Sequence, residues 1–291
     1  MRQILLYISF PLFVFACSDN GNSVGDNEIA GDLSGTLAFQ SNRTGNFEIF
    51  VNSGSNTAIS NVSLDPLDDT NPSLSLNADK LIFVSKRDAS PHVHLYQNNE
   101  LIQITAGDAE FTTPQISRVG NKIVFVRDYN VYIMNSTGTG ITQLTFTGGD
   151  TFNYSPSFSF DDSKIIFTRN IDGGNSDIMM MNGLGGSVQN LTNGIGDNLQ
   201  PAFSPDGTQI VFSRNNHICI LTISTKAVKD LMPSDSLRFN GYPVYSPNGK
   251  TIAFVSNRTG DMDIFTMDTN GKNLRNITKN DAIDTFPYWS E

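Results

Sequence analysis

Two cysteines, three histidines and one tryptophan serve a chain of 291 residues. Each scarcity removes a class of explanation. With Cys17 near the N-terminus and Cys219 flanked by Ile218 and Ile220, the body of the chain has no pair to form a structural disulfide. The aliphatic setting of Cys219 is that of a buried, inert thiol, since reactive cysteines need polar, partly exposed surroundings. Zinc asks for three or four His, Cys or carboxylate ligands, and no local spacing supplies them around His92 and His94. No histidine is visibly paired with a nucleophilic serine. The run Gly183-Leu-Gly-Gly186 joins two strand patterns, and so reads as a turn and not a phosphate loop.

Positive charge is also scarce. Nineteen Lys and Arg face 29 Asp and Glu, a formal charge of −10. Nucleic acid and anionic lipid surfaces are poor partners for such a molecule, whereas a basic protein surface or a cation is easier to accommodate. No apolar run reaches the roughly 20 residues of a membrane-spanning helix. The longest, Ile4 to Ala16, is broken by Ser9 and Pro11.

What is present in abundance is repetition. Prolines at 72, 114, 156, 201, 243 and 287 are separated by 42, 42, 45, 42 and 44 residues. A period in the forties belongs to propellers and solenoids. Each proline opens a short strand, such as Ala202-Phe-Ser204 or Val244-Tyr-Ser246, followed by a turn, clearest in Pro205-Asp-Gly207 and Pro247-Asn-Gly249. A second strand follows, apolar without alternation, as in Leu81-Ile-Phe-Val84 and Ile252-Ala-Phe-Val255. Strands of that kind are buried on both faces. The near-identical Ser41-Asn-Arg-Thr-Gly45 and Ser256-Asn-Arg-Thr-Gly260 lead to a third strand, and a fourth ends in Leu-Thr or Ile-Thr, as at 191–192 and 277–278.

The first copy lacks its opening strand, and Phe286-Pro-Tyr-Trp-Ser290 is an opening strand with nothing after it. Together they make one blade. The pattern predicts an all-β, six-bladed β-propeller over residues 35–291, four strands per blade, closed by the C-terminal strand completing the first blade. Closure removes the exposed edges that an open array would present. A monomer is expected.

These repeats resemble TolB-type propeller repeats, which read Pro-x-Trp-Ser-Pro-Asp-Gly, a buried strand, Ser-x-Arg-x-Gly, an aliphatic-aromatic strand, and Leu-Thr. The resemblance covers about residues 35 to 290. It implies a bacterial envelope protein that meets other envelope proteins or a peptide entering its channel. The N-terminus agrees: residues 1–16 have the form of a signal peptide, and Val14-Phe-Ala-Cys17 resembles a lipobox, making Cys17 the expected lipidation site. Residues 17–34, rich in Asn, Gly, Asp and Ser, read as a flexible tether, so the expected contact with membrane is through the lipid anchor alone.

Three residues before the repeat prolines stand Asp69, Phe111, Asn153, Asn198, Asn240 and Asp284. The connectors that carry them run from the outer strand of one blade to the inner strand of the next, which places them near one mouth of the channel. Two compatible roles are open to the Asp and Asn side chains. They could cap the loop backbone before an extended X-Pro step, or ring the mouth with oxygens for Ca²⁺ or a basic peptide. Phe111, Tyr154 and Tyr242 would add contact area there. His94 aligns with Glu48, Asp177, His217 and Asp263, which makes it a repeat-position residue. A binding or scaffold propeller without a catalytic site is therefore the leading expectation. The alternative is a polysaccharide-acting lyase or carbohydrate-binding propeller with a channel-mouth metal, since some lyases resemble these repeats.

Overall fold

The computed structural model describes residues 33–54, 58–88, 90–171, 173–232 and 238–291. The expected signal peptide, Cys17 and all but the last two tether residues lie outside them. Among the described residues there are strands and no α-helix, hence none long and apolar enough to cross a membrane.

Blade 1 contains β1 (Thr36–Ser41), β2 (Glu48–Asn52) and β3 (Ile59–Asn61). Blade 2 is β4 (Asp69–Leu74), β5 (Leu81–Asp88), β6 (Ser90–Gln97) and β7 (Glu100–Gln103). Blade 3 is β8 (Phe111–Ile116), β9 (Lys122–Arg127), β10 (Asn130–Asn135) and β11 (Thr142–Gln143). Blade 4 is β12 (Thr151–Phe158), β13 (Lys164–Ile171), β14 (Ser176–Asn182) and β15 (Gln189–Asn190). Blade 5 is β16 (Asn198–Phe203), β17 (Gln209–Arg214), β18 (His217–Thr222) and β19 (Ala227–Asp230). Blade 6 is β20 (Asn240–Tyr245), β21 (Thr251–Ser256), β22 (Asp263–Asp268) and β23 (Arg275–Asn276). The last strand, β24 (Asp284–Ser290), returns to pair with β1, giving six four-stranded antiparallel sheets. The split blade is as the repeats predict.

The unalternating second strands are buried on both faces because each sheet is sandwiched between neighbours. Val211, Ile218 and Ile220 of blade 5 pack against Ile252, Phe254 and Met267 of blade 6. Phe39 and Trp289 of blade 1 meet Ala253 and Ile264 of blade 6, and Ala38 and Ile49 on its other side meet Leu81 and Phe83 of blade 2. Apolar burial at about 25 cal/mol per Å² is the main stabilising force in such a stack.

The recurrent Thr after the fourth strand fastens that strand to the third. In blade 4, Thr192 Oγ1 accepts from the Ile178 amide at 3.0 Å and donates to Asp177 at 2.6 Å. Thr145 does the same with Val131 and Asn130, and Thr278 with Ile264 and Asp263. In blade 2 the equivalent hydroxyl, Thr105, serves the Val93 amide and lies 3.4 Å from His92. The repeat-position residue is therefore His92, and the alignment of His94 with Glu48 and Asp177 is corrected by two residues. A register shift between Ser85 and Asp88 marks the hairpin before β6, yet His92 stands nine residues after Phe83 just as Glu48 does after Phe39 and Asp263 after Phe254. His94 packs instead on Phe83, ring centroids 6.1 Å apart.

Closure joins residues 215 to 255 positions apart. Arg43 at the end of β1 donates two bonds to Asp284, at 2.9 and 3.0 Å, with both side chains at or below 5% exposure. Trp289 Nε1 donates to the Ser34 carbonyl at 3.0 Å, while its ring packs with Leu33 and Leu37, so the chain is already held by residue 33. Ser290 Oγ reaches the Ser75 carbonyl of blade 2 at 2.6 Å. Replacing Trp289 by Ala should cost about 3–5 kcal/mol, read as a fall in Tm. Removing residues 286–291 should abolish the parental cooperative transition, and a truncated chain melting at the parental temperature would contradict closure by β24.

Candidate functional site

The inner strands β24, β4, β8, β12, β16 and β20 surround a central channel, and each carries a bulge beside its repeat proline. The residue before the proline has positive φ in all six: Asn71 (55°), Thr113 (44°), Ser155 (51°), Gln200 (53°), Tyr242 (51°) and Phe286 (52°). Sequence alone assigns an extended conformation before proline. The left-handed conformation costs a non-glycine residue free energy, and bulges re-aim side chains. Here the outcome is a ring of six X-Pro steps lining a cavity of about 110 Å³ at the end where the inner strands begin. No charged side chain lines it. Amides and hydroxyls of Asn71, Thr113, Ser155 and Gln200 face an aromatic sector in which the Tyr242 and Phe286 rings lie 4.1 Å apart.

A second cavity of about 120 Å³ opens at the opposite end. Its wall is largely apolar, with Leu76, Phe158, Phe203, Pro205 and Pro247, plus the ion pair of Arg118 with Glu291 at 3.0 Å. The two cavities share Gln115, Ser157, Ala202, Val244 and Tyr288, which form the waist of the channel. Gln115 donates to Ser157 at 3.2 Å, and burial among these groups pushes the Tyr288 hydroxyl pKa up.

Five of the predicted mouth residues, Asp69, Asn153, Asn198, Asn240 and Asp284, have 0% exposure. Each accepts from an arginine at or just beyond the end of the second strand of its own blade: Arg87 to Asp69 at 3.0 Å, Arg169 to Asn153 at 2.9 Å, Arg214 to Asn198 at 2.7 Å, Arg258 to Asn240 at 2.8 Å, and Arg43 to Asp284. The amides of the three asparagines also donate to backbone carbonyls, as Asn198 does to Ser176 O at 2.9 Å and Gly196 O at 2.8 Å. The expectation that these oxygens are offered at the mouth is thus corrected. They lie beneath it, committed to arginine and backbone, because a buried polar group needs its partners inside the protein. Among the described residues no three His, Cys, Asp or Glu side chains converge as metal ligands.

The aromatic candidates divide. Phe111, 1% exposed, packs between His92 and Phe125. Tyr154 turns its hydroxyl to Ser176 at 2.6 Å. Tyr242 alone of the eight predicted residues lines the X-Pro cavity. The arginines were missed, although the sequence carries their signal. Phe-x-Ser-x-Arg occurs at 39–43, 83–87 and 254–258, and Phe-x-Arg at 125–127, 167–169 and 212–214. In five blades the guanidinium lies over that phenylalanine ring, at 5.3 to 5.9 Å from its centre. Cys219 is 2% exposed, and burial pushes its thiol up to about 12.

Asp69 has one unpaired buried oxygen. Burial outweighs Ser85 and Arg87 and raises its pKa from 3.8 to about 6. The folded protein then keeps a proton that the unfolded chain has released, so the associated stability is present at low pH and declines as pH rises from about 4 to about 6. Asp69→Asn, which copies blades 4 to 6, should remove that decline, on the order of 1–3 kcal/mol. Melting curves of both proteins across this window test it, and parallel profiles would exclude Asp69 as the titrating group.

A family model described as the dipeptidyl peptidase IV N-terminal region matches residues 92–159. The structure is similar to that of TolB from Acinetobacter baumannii, with TM-score 0.74 and 23% identity over 90% of this chain and 68% of that one. It is similar to putative TolB from Agrobacterium tumefaciens, with TM-score 0.66 and 18% identity over 90% of this chain and 100% of that one. An oligogalacturonate lyase in complex with manganese gives TM-score 0.56 and 11% identity, covering 87% of this chain and 90% of that one. The chain folds as a six-bladed β-propeller similar to those of the TolB structures.

Proposed function

We propose that this protein is a lipid-anchored binding propeller of the bacterial envelope that presents the X-Pro mouth of its channel to a protein or peptide partner. The observation that carries this reading is the ring of six left-handed X-Pro residues, neutral throughout, with amides and hydroxyls on one side and the Tyr242–Phe286 pair on the other. Backbone amides and apolar side chains of a peptide match such a wall, which offers hydrogen bonds without demanding charge. The fold supports the orientation as well. Ser34 meets Trp289 and Asn248 at the end opposite the X-Pro ring. The chain at residue 34 thus joins the ring at the far end and leaves this mouth unobstructed.

A carbohydrate is the second reading, favoured by one observation: a close pair of tilted aromatic rings beside amide side chains is also a means of holding a neutral sugar. Nothing in the wall provides the carboxylates or imidazoles that a metal-assisted lyase step would use.

A photoreactive amino acid in place of Tyr242, introduced in cells producing the anchored protein, should crosslink one envelope protein, and the Cys17→Ala form should lose that adduct. The same probe at Lys226, on the outer side of blade 5, should not yield it. Equal labelling from both positions, or no adduct at Tyr242, would refute the channel-mouth reading.

A further inference from the structure

Hairpins between second and third strands share one face of the ring with the connectors that enter the inner strands, around the X-Pro mouth. Four large apolar side chains project from this face between blades 3 and 5: Tyr129 (61% exposed), Phe146 (81%), Ile171 (56%) and Ile195 (65%). Neighbouring contacts tie them into one arc. The Tyr129 ring meets Phe152 edge-on at 4.7 Å, and Asn130 donates to the carbonyl of Thr147, next to Phe146, at 3.2 Å. Asn175, in the hairpin after Ile171, donates to the Gly194 carbonyl beside Ile195 at 3.2 Å. Monomeric proteins seldom leave such groups together in water without an interaction to cover them.

Charge on the arc is predominantly negative. Asp108, Glu110, Asp128, Asp150 and Asp197 stand among or beside the apolar groups, all exposed or half-buried. Its hairpins and connectors carry no lysine among the described residues, and the two lysines in this part of the sequence, Lys122 and Lys164, lie at the other end of their strands. The arginines Arg127 and Arg169 are already engaged, Arg127 3.5 Å from Asp128 and beside Tyr132, Arg169 bonded to Asn153 and over Phe167. Blade 3, where the arc begins, is also where the arginine pattern breaks. Phe111 replaces the usual Asp or Asn, Arg127 Nε lies 3.5 Å from Asp128 instead, and Thr113 Oγ1 is buried without a hydrogen-bond partner.

We infer that this arc docks a cationic amphipathic segment of a partner protein, its aliphatic or aromatic residues covering Tyr129, Phe146, Ile171 and Ile195 and its Lys or Arg side chains meeting the five carboxylates. The inference rests on the reading of this mouth as the partner-facing end, and adds to it a surface outside the channel. Complementary charge sets register and association rate, and apolar contact supplies most of the affinity.

The probe is a labelled synthetic Lys/Leu amphipathic peptide, with a Glu/Leu peptide of the same pattern as its counterpart, titrated by fluorescence anisotropy at low and high salt. The parent protein should bind the Lys/Leu peptide, more weakly as salt rises. Phe146→Ser with Asp150→Lys should weaken it by about tenfold or more, while the matched pair away from this face, Leu184→Ser with Glu100→Lys, should change it less than about twofold. Circular dichroism melts establish that both double variants are folded. Absence of binding to the parent, equal binding of the Glu/Leu peptide, or equal losses in the two double variants would overturn the inference. Tyr242→Ala separates the two sites: loss of binding there with none in the Phe146/Asp150 variant would leave the channel reading standing and remove the arc.

Discussion

The whole ring depends on one strand reaching its place. β24 must cross back to β1, and the bond that marks its arrival is the ion pair of Arg43 with Asp284. Burying two charges carries a desolvation cost that a simple pair does not always recover. Here the arginine is also bounded by rings, its guanidinium 5.4 Å from the centre of Phe39 and 4.7 Å from that of Phe50, and it donates to Ser41 at 2.8 Å. The same device repeats without full charge in blades 4 to 6, where asparagine replaces aspartate and brings two amide donors for connector carbonyls. Most other packing in the molecule is within a blade or between neighbours, so closure is the step that ties first residues to last and carries the largest loop-closure entropy.

The architecture was legible because repeats report themselves: six prolines at near-constant spacing, and buried second strands with no alternation. The split blade followed from an opening strand found at the wrong end. The site was far less legible, and particular residues show why. Asp69, Asn153, Asn198, Asn240 and Asp284 recur, and recurrence is what a structural role and a binding role have in common. Their partners are arginines two to four residues past a phenylalanine, at two different spacings, so a search at a single spacing misses the set. His94 was aligned in place of His92 although the nine-residue step from Phe83 to His92 equals those from Phe39 to Glu48 and Phe254 to Asp263; two histidines on one strand offered two registers, and only the bonds of Thr105 decide between them.

Conformation defeated the sequence most completely at the X-Pro steps. The rule that the residue before proline is extended is sound for an isolated dipeptide, and local sterics favour it. Six inner strands override it together, because a bulge is what lets one edge of each blade bend around the channel while the rest stays in register. Its consequence is a separation of duties along a strand of six to eight residues. The residue three before the proline is locked under the rim, the one just before it is presented to the channel, and the one after it forms the waist.

The presented position has a further meaning. Asn, Thr, Ser, Gln, Tyr and Phe occupy it in the six blades, with φ confined between 44° and 55° throughout. The molecule thus contains its own substitution series, six side chains of very different size and polarity carried on one backbone geometry. The backbone there is indifferent to what it displays. A new lining for this channel could be written one blade at a time, leaving the frame that holds it unchanged.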